Sequence, residues 1–223
     1  MAPTRPSGSC CSGDHCFDGL DPRYKLVLWI VIAINAGMFL VEILAGRLAG
    51  SQALQADALD FLGDTLTYGM SLAVIGASLK ARSTAAIVKG VSLTVFGLWV
   101  FVATAYSVLW HGMPRAEIMG GVGLMALAAN LASVLLLLRY KDGDANVRSV
   151  WLCSRNDAVG NLAVMGAAGA VSLTSSAWPD LIVAAAMAGL FLNSSALILK
   201  QAWREFRIGR TTNASHAAHR AHT

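Results

Sequence analysis

Six mostly apolar stretches follow one another along the chain, at about 24–46, 52–79, 85–110, 114–139, 147–173 and 178–203. Each could cross a bilayer as an α-helix, which needs roughly 20 such residues. Gly, Ala and Ser recur inside them; small residues let membrane helices approach closely, so they do not argue against spanning. The gaps are short. Pro114 and Trp178-Pro179-Asp180 read as tight turns that feed new helices, because proline suits a first helical position. Arg139 to Asn146 is the most polar internal gap. The pattern predicts an all-α integral membrane bundle of six transmembrane helices over 24–203, with flexible tails at 1–23 and 204–223 that lack the apolar periodicity of a soluble core.

Composition agrees with the pattern. The chain is 56% hydrophobic and 13% charged, with a mean hydropathy of +0.57, too apolar for a soluble domain. The opening segment has no short apolar core ahead of a small-residue cleavage site, so no cleaved signal is expected. Basic residues cluster before the first run (Arg5, Arg23, Lys25), around the second gap (Lys80, Arg82, Lys89), around the fourth (Arg139, Lys141, Arg148) and after the last run (Arg204, Arg207, Arg210). The alternate gaps hold only Arg47 and Arg115. The bias toward cytoplasmic loops therefore places both termini in the cytoplasm, as an even number of spans requires, and the expected location is the cell (inner) membrane. The net charge of +4 is then mainly a topology signal, and no nucleic-acid partner is expected.

Chemistry enters where polar groups interrupt the apolar runs. The second run carries Asp57, Asp60 and Asp64, spaced by three and four and hence on one helical face. An Asp near mid-membrane costs about 2.5–3.5 kcal/mol, against about half a kcal/mol returned by a Leu or Ile. Such a triplet calls for partners, water or ions. The fifth run places Cys153, Asp157 and Asn161 on one face at spacings of four. Two i,i+4 pairs from two helices supply four ligands, and Asp60, Asp64, Cys153 and Asp157 satisfy the tetrahedral O and S preference of zinc-like ions. Other readings compete: Cys153 as a small buried apolar residue, Arg155 as an internal partner of Asp157, Asn161 as a helix–helix hydrogen bonder. Glu42 stands two turns from Asn35 on one face, with Arg47 as a possible ion-pair partner, and Gln52 and Gln55 either line an outer mouth or cap a helix that starts in water.

The tails hold further donors. Cys10, Cys11, Asp14, His15 and Cys16 form a soft-donor cluster suited to metal capture, and with three of the four cysteines in a reducing compartment no disulfide framework is expected. His216, His219 and His222 could chelate weakly, and the sequon at Asn213 should be silent on an inside-facing tail.

These residues resemble the cation diffusion facilitator family, through Asn35 to Glu42, Gly46, the run Ser51-Gln-Ala-Leu-Gln-Ala-Asp57-Ala-Leu-Asp60-Phe-Leu-Gly-Asp64, and Cys153-Ser-Arg-Asn-Asp157. The family carries His or Asp, three residues, then Asp on both the second and the fifth helix. Asp60 and Asp64 match the first pair and Asp157 the end of the second. Cys153 departs from it, which tilts the implied preference toward softer ions. The resemblance implies a homodimeric antiporter that moves zinc, cadmium or cobalt out of the cytoplasm in exchange for protons. It also implies a metal-binding domain after the sixth helix, and since only a short segment follows Lys200 the chain resembles a truncated member.

The expectation is thus a metal/proton efflux transporter and not an enzyme, with a divalent ion such as Zn2+, Cd2+ or Co2+ as cargo and no other cofactor. Its metal ligands are Asp60, Asp64, Cys153 and Asp157, with Asp57, Asn161, Glu42, Cys10, Cys11, His15 and Cys16 as accessories. The rival is a membrane-anchored metal sensor or metal-handling partner built on the N-terminal cluster. A membrane hydrolase using paired aspartates is a weaker third, since no cleft or substrate groove can be read from the sequence.

Overall fold

The computed structural model describes residues 22–73, 79–110, 112–140 and 145–220, the side chains of 71, 79–83, 85, 86, 110, 145–156 and 201–220 excepted. Among them the backbone is helical almost throughout: α1 (Pro22–Ala49), α2 (Gln52–Ala73), α3 (Leu79–Trp110), α4 (Ala116–Leu137, extended by a 3-10 turn to Tyr140), α5 (Ala145–Thr174) and α6 (Trp178–Arg220). No strand occurs among the described residues. The helices follow the six apolar runs to within a few residues at most ends. The exception is α6, whose backbone stays helical beyond 203, into the stretch expected to be a tail.

Among the described residues four helices are long and apolar enough to cross a membrane, over Pro22–Ala49, Ile87–Leu109, Ala116–Tyr140 and Trp178–Lys200. Their outward faces are apolar: Leu40, Leu44, Trp99, Val102, Leu109, Leu135 and Leu190 are all exposed. Large contiguous apolar surface of this kind is incompatible with water and suits lipid. α2 and α5 are the helices interrupted by acids and amides. α2 packs against α1, α3, α5 and α6, and α5 against α4, α6 and α2, while Val159, Leu162 and Leu173 leave an apolar face of α5 exposed.

The α1–α2 corner fixes the register of the site. α1 ends in a left-handed glycine, Gly50 at φ 69°, with the Ser51 N–H bonded to the Gly46 carbonyl at 3.0 Å and the Gly50 N–H to that of Arg47 at 3.3 Å. This is a Schellman ending, which satisfies carbonyls that the helix itself leaves open. Gly46 is also the point of closest approach: a Cβ there would stand 2.9 Å from Gln55 Cγ and 3.0 Å from its backbone nitrogen. Ser51 then caps α2, its Oγ accepting from the Leu54 N–H at 3.0 Å. The two preceding amides bond to a side chain from the far end of the sequence. Asp180, at the start of α6, accepts from Gln52 N–H at 2.8 Å, from Ala53 N–H at 3.1 Å and from the Ser51 hydroxyl at 2.6 Å. Gln52 is buried and Gln55 donates to the Ser51 carbonyl at 3.1 Å. α2 therefore starts against protein, which corrects the expectation of a helix starting in water.

A similar economy joins α3 to α6. Gly90 and Gly97, seven residues apart, receive Leu199 and Leu192, whose side chains would lie 2.8 Å from a Cβ at either glycine. Between them the hydroxyls of Thr94 and Ser195 meet at 2.5 Å, and Ser195 donates to the Gly90 carbonyl at 2.8 Å. Small residues that admit a neighbouring helix, with hydroxyls bonding across the contact, are the packing mode expected where lipid removes any hydrophobic drive between helices.

Candidate metal centre

Asp57, Asp60 and Asp64 share one face of α2, as their spacing predicts, but they divide between two environments. Asp60 and Asp64 share a cavity with Asp157 of α5. Tyr68, one turn beyond Asp64 and fully buried, donates its hydroxyl to Asp64 Oδ2. The three carboxyls line a cleft of about 480 Å3 together with Gly63 and Thr67 from α2, Lys89 and Leu93 from α3, Gly160 from α5, and Met187, Phe191 and Ser194 from α6. Carboxylates only accept hydrogen bonds. Three of them in one cavity within the membrane need protons or cations to offset both desolvation and mutual repulsion.

The Cys153 side chain lies outside the described residues, as does that of Arg155, so neither the fourth ligand nor the proposed internal partner of Asp157 is visible. Among the described residues no three His, Cys, Asp or Glu side chains already stand as a metal cage.

Asp57 turns toward α1, where its carboxyl faces that of Glu42. Both are buried, and neither Glu42 oxygen nor Asp57 Oδ2 has a hydrogen-bond partner. Arg47 is solvent- or lipid-exposed, so the Glu42–Arg47 pairing considered above does not form. Asn161, one turn from Asp157, is fully buried with both amide atoms unbonded. Helix directions relate these groups. The start of α2 meets the start of α6 through Asp180, and α5 reaches that same end through the short Ser175–Ala177 turn. α2 and α5 are thus antiparallel, and Asn161 is displaced from Asp157 toward the end of the bundle on which Asp57 lies. Asn35, also buried, donates within its own helix to the Val31 carbonyl at 2.8 Å, leaving its oxygen unbonded.

Cys10, Cys11, Asp14, His15 and Cys16 fall outside the described residues, as do the side chains of His216 and His219 and the whole of His222. Two residues that matter were not singled out in the sequence. Lys89 counts there as a topology charge although it sits inside an apolar run, which is the signal that it faces something polar. Asp180 reads as a turn residue, and nothing local reveals its partners.

A sequence model of the cation efflux transmembrane domain matches residues 28–207, most of the chain and all of the carboxylate cavity. The chain belongs to the cation efflux family. This cation efflux chain is 24% identical over 185 residues to the metal cation efflux system protein CzcD of Cupriavidus metallidurans, covering 78% of this chain and 58% of the relative. It is 27% identical over 198 residues to the zinc transporter ZitB of Escherichia coli, covering 79% and 58%. A CzcD cation efflux system protein from an Alcaligenes species is 24% identical over 169 residues, covering 70% and 54%. The cation efflux chain therefore spans a little over half the length of these relatives. Family membership and the apolar helices together make it a multi-pass membrane protein.

Proposed function

We propose that the chain carries divalent transition-metal ions out of the cytoplasm through a site made by Asp60 and Asp64 of α2 with Cys153 and Asp157 of α5. One observation carries the reading: two helices far apart in sequence bring three carboxyls to a single cavity inside the bundle. The names of the matched relatives, a zinc transporter and metal cation efflux proteins, support the cargo class. Asp57, Glu42 and Asn161 act as accessory groups beside that site. All six helices span in this reading, α2 and α5 included, with both termini cytoplasmic and two copies associating as a dimer. Zinc, cadmium and cobalt are the candidate ions, exchanged for protons.

The donor set suits this task. Two helices that each contribute one half of a coordination sphere can bind an ion when apposed and expose it when they shift, and the ligands lose it when protonated. The test is Zn2+ flux into proteoliposomes reconstituted with the full chain. Asp64→Ala and Asp60→Ala should each abolish flux while the protein remains folded in detergent; full flux in Asp64→Ala would remove this site from the mechanism.

A further inference from the structure

Lys89 is the member of the cavity that the transport reading leaves without a role. It is the third residue of the apolar stretch Ile87–Leu109, close enough to that stretch's end for a long side chain to reach the interface and leave its charge in water. It lines instead the cavity that holds Asp60, Asp64 and Asp157. The backbone beside it is fixed: Gly90 is wedged against Leu199 of α6 and held through Ser195 at 2.8 Å. α3 thus presents the lysine to the cavity that α5 lines with Asp157.

We propose that Lys89 is a tethered counter-ion of the transport site, occupying the charge position of the cargo when no metal is bound and displaced when a divalent ion enters. The proposal rests on the carboxylate-site reading above. A built-in cation has two effects. It lowers the repulsion among Asp60, Asp64 and Asp157 in the ion-free protein, so the carboxylates can stay together in a low-dielectric cavity. It also competes with the metal, holding affinity down so that bound ion is released rather than trapped. Lysine suits the task better than arginine would as a fixed clamp, since it is a point charge on a flexible stem that can swing aside.

The experiment compares Zn2+ binding by calorimetry, in mildly alkaline buffer, and Zn2+ flux in proteoliposomes, for wild type and for Lys89→Gln, Lys89→Arg and Asp64→Ala. Removing one unit charge several ångströms from the site should tighten Zn2+ binding on the order of tenfold. In flux, the apparent KM and the maximal rate of Lys89→Gln should fall together, because release slows. Lys89→Arg keeps the charge and should return both quantities toward wild type. A merely structural lysine would lower flux without tightening binding. Unchanged or weakened Zn2+ affinity in Lys89→Gln overturns the counter-ion role, provided Asp64→Ala loses binding; if Asp64→Ala binds like wild type, the carboxylate-site reading is the one that fails. Should Lys89→Gln not fold, Lys89→Met keeps the apolar stem and carries the same comparison.

Discussion

Cys153 is the residue at which this site departs from an all-oxygen or oxygen-and-imidazole set, and its consequence can be argued from ligand chemistry alone. A thiolate is soft and favours Cd2+ over harder ions, whereas carboxylate favours hard and borderline ions. Cys153→Asp gives the site four carboxylates, so Cd2+ flux should fall relative to Zn2+ flux. A change in the flux ratio of about tenfold is expected, the scale on which altered ligand environments act. Competition between the two ions in one vesicle preparation measures that ratio without needing absolute rates. An unchanged ratio would mean that Cys153 is only a small packing residue. The orphaned atoms of Glu42, Asp57 and Asn161 raise the same kind of question. An unbonded buried polar group costs about 1–3 kcal/mol.

At the scale of the helix, the start of α2 is the most heavily fixed joint in the bundle. Its first two amides and the capping Ser51 hydroxyl all bond to Asp180, and a carboxylate there also opposes the positive end of the helix. Asp180→Ala leaves two buried amides without acceptors; with loss of the cap this should cost about 2–4 kcal/mol. Denaturation of the purified protein in detergent would report it, and Asp180→Asn, which keeps one acceptor oxygen, should lose less. Equal stability of wild type and Asp180→Ala would show that water replaces the carboxylate.

The same joint shows what the sequence made legible. The helices were readable because the bilayer imposes a length rule that apolar runs either meet or miss. Asp60 and Asp64 were readable because an acid in such a run is too costly to be incidental, and the i,i+4 spacing fixes their common face. Asp180 was not, because its partner Gln52 lies 128 residues away and an Asp after proline is also what a turn would use. Lys89 was ambiguous for a related reason: a base near the end of a span serves equally as an orientation signal or as a counter-charge, and its place in the cavity depends on the packing of distant helices. The separation of Asp57 from its two neighbours was hidden too, since one helical face can border two different helices.

At the scale of the whole molecule, the helices turn apolar faces outward and bring carboxyls of α2 and α5 to one cavity. Among the described residues hydropathy alone passes over α2 and α5, because their acids lower the apolar average. The proposed carboxylate and thiolate site would couple cargo to protons without a separate proton channel. Metal binds deprotonated carboxylate and thiolate; protons arriving at the site drive it off, so release is favoured on the more acidic side. In proteoliposomes whose outer face corresponds to the cytoplasm, an acidic interior should accelerate Zn2+ entry and an alkaline interior should slow it. For each proton exchanged per ion, the equilibrium Zn2+ ratio across the membrane should shift about tenfold per pH unit, so the slope of accumulation against the imposed gradient reads the stoichiometry directly. An entrapped Zn2+ indicator follows the uptake, and an ionophore that collapses the gradient should abolish the acceleration within the same trace. Zn2+ entry at a rate indifferent to the gradient, yet still lost in Asp64→Ala, would leave the carboxylate site in place and make the protein a uniporter.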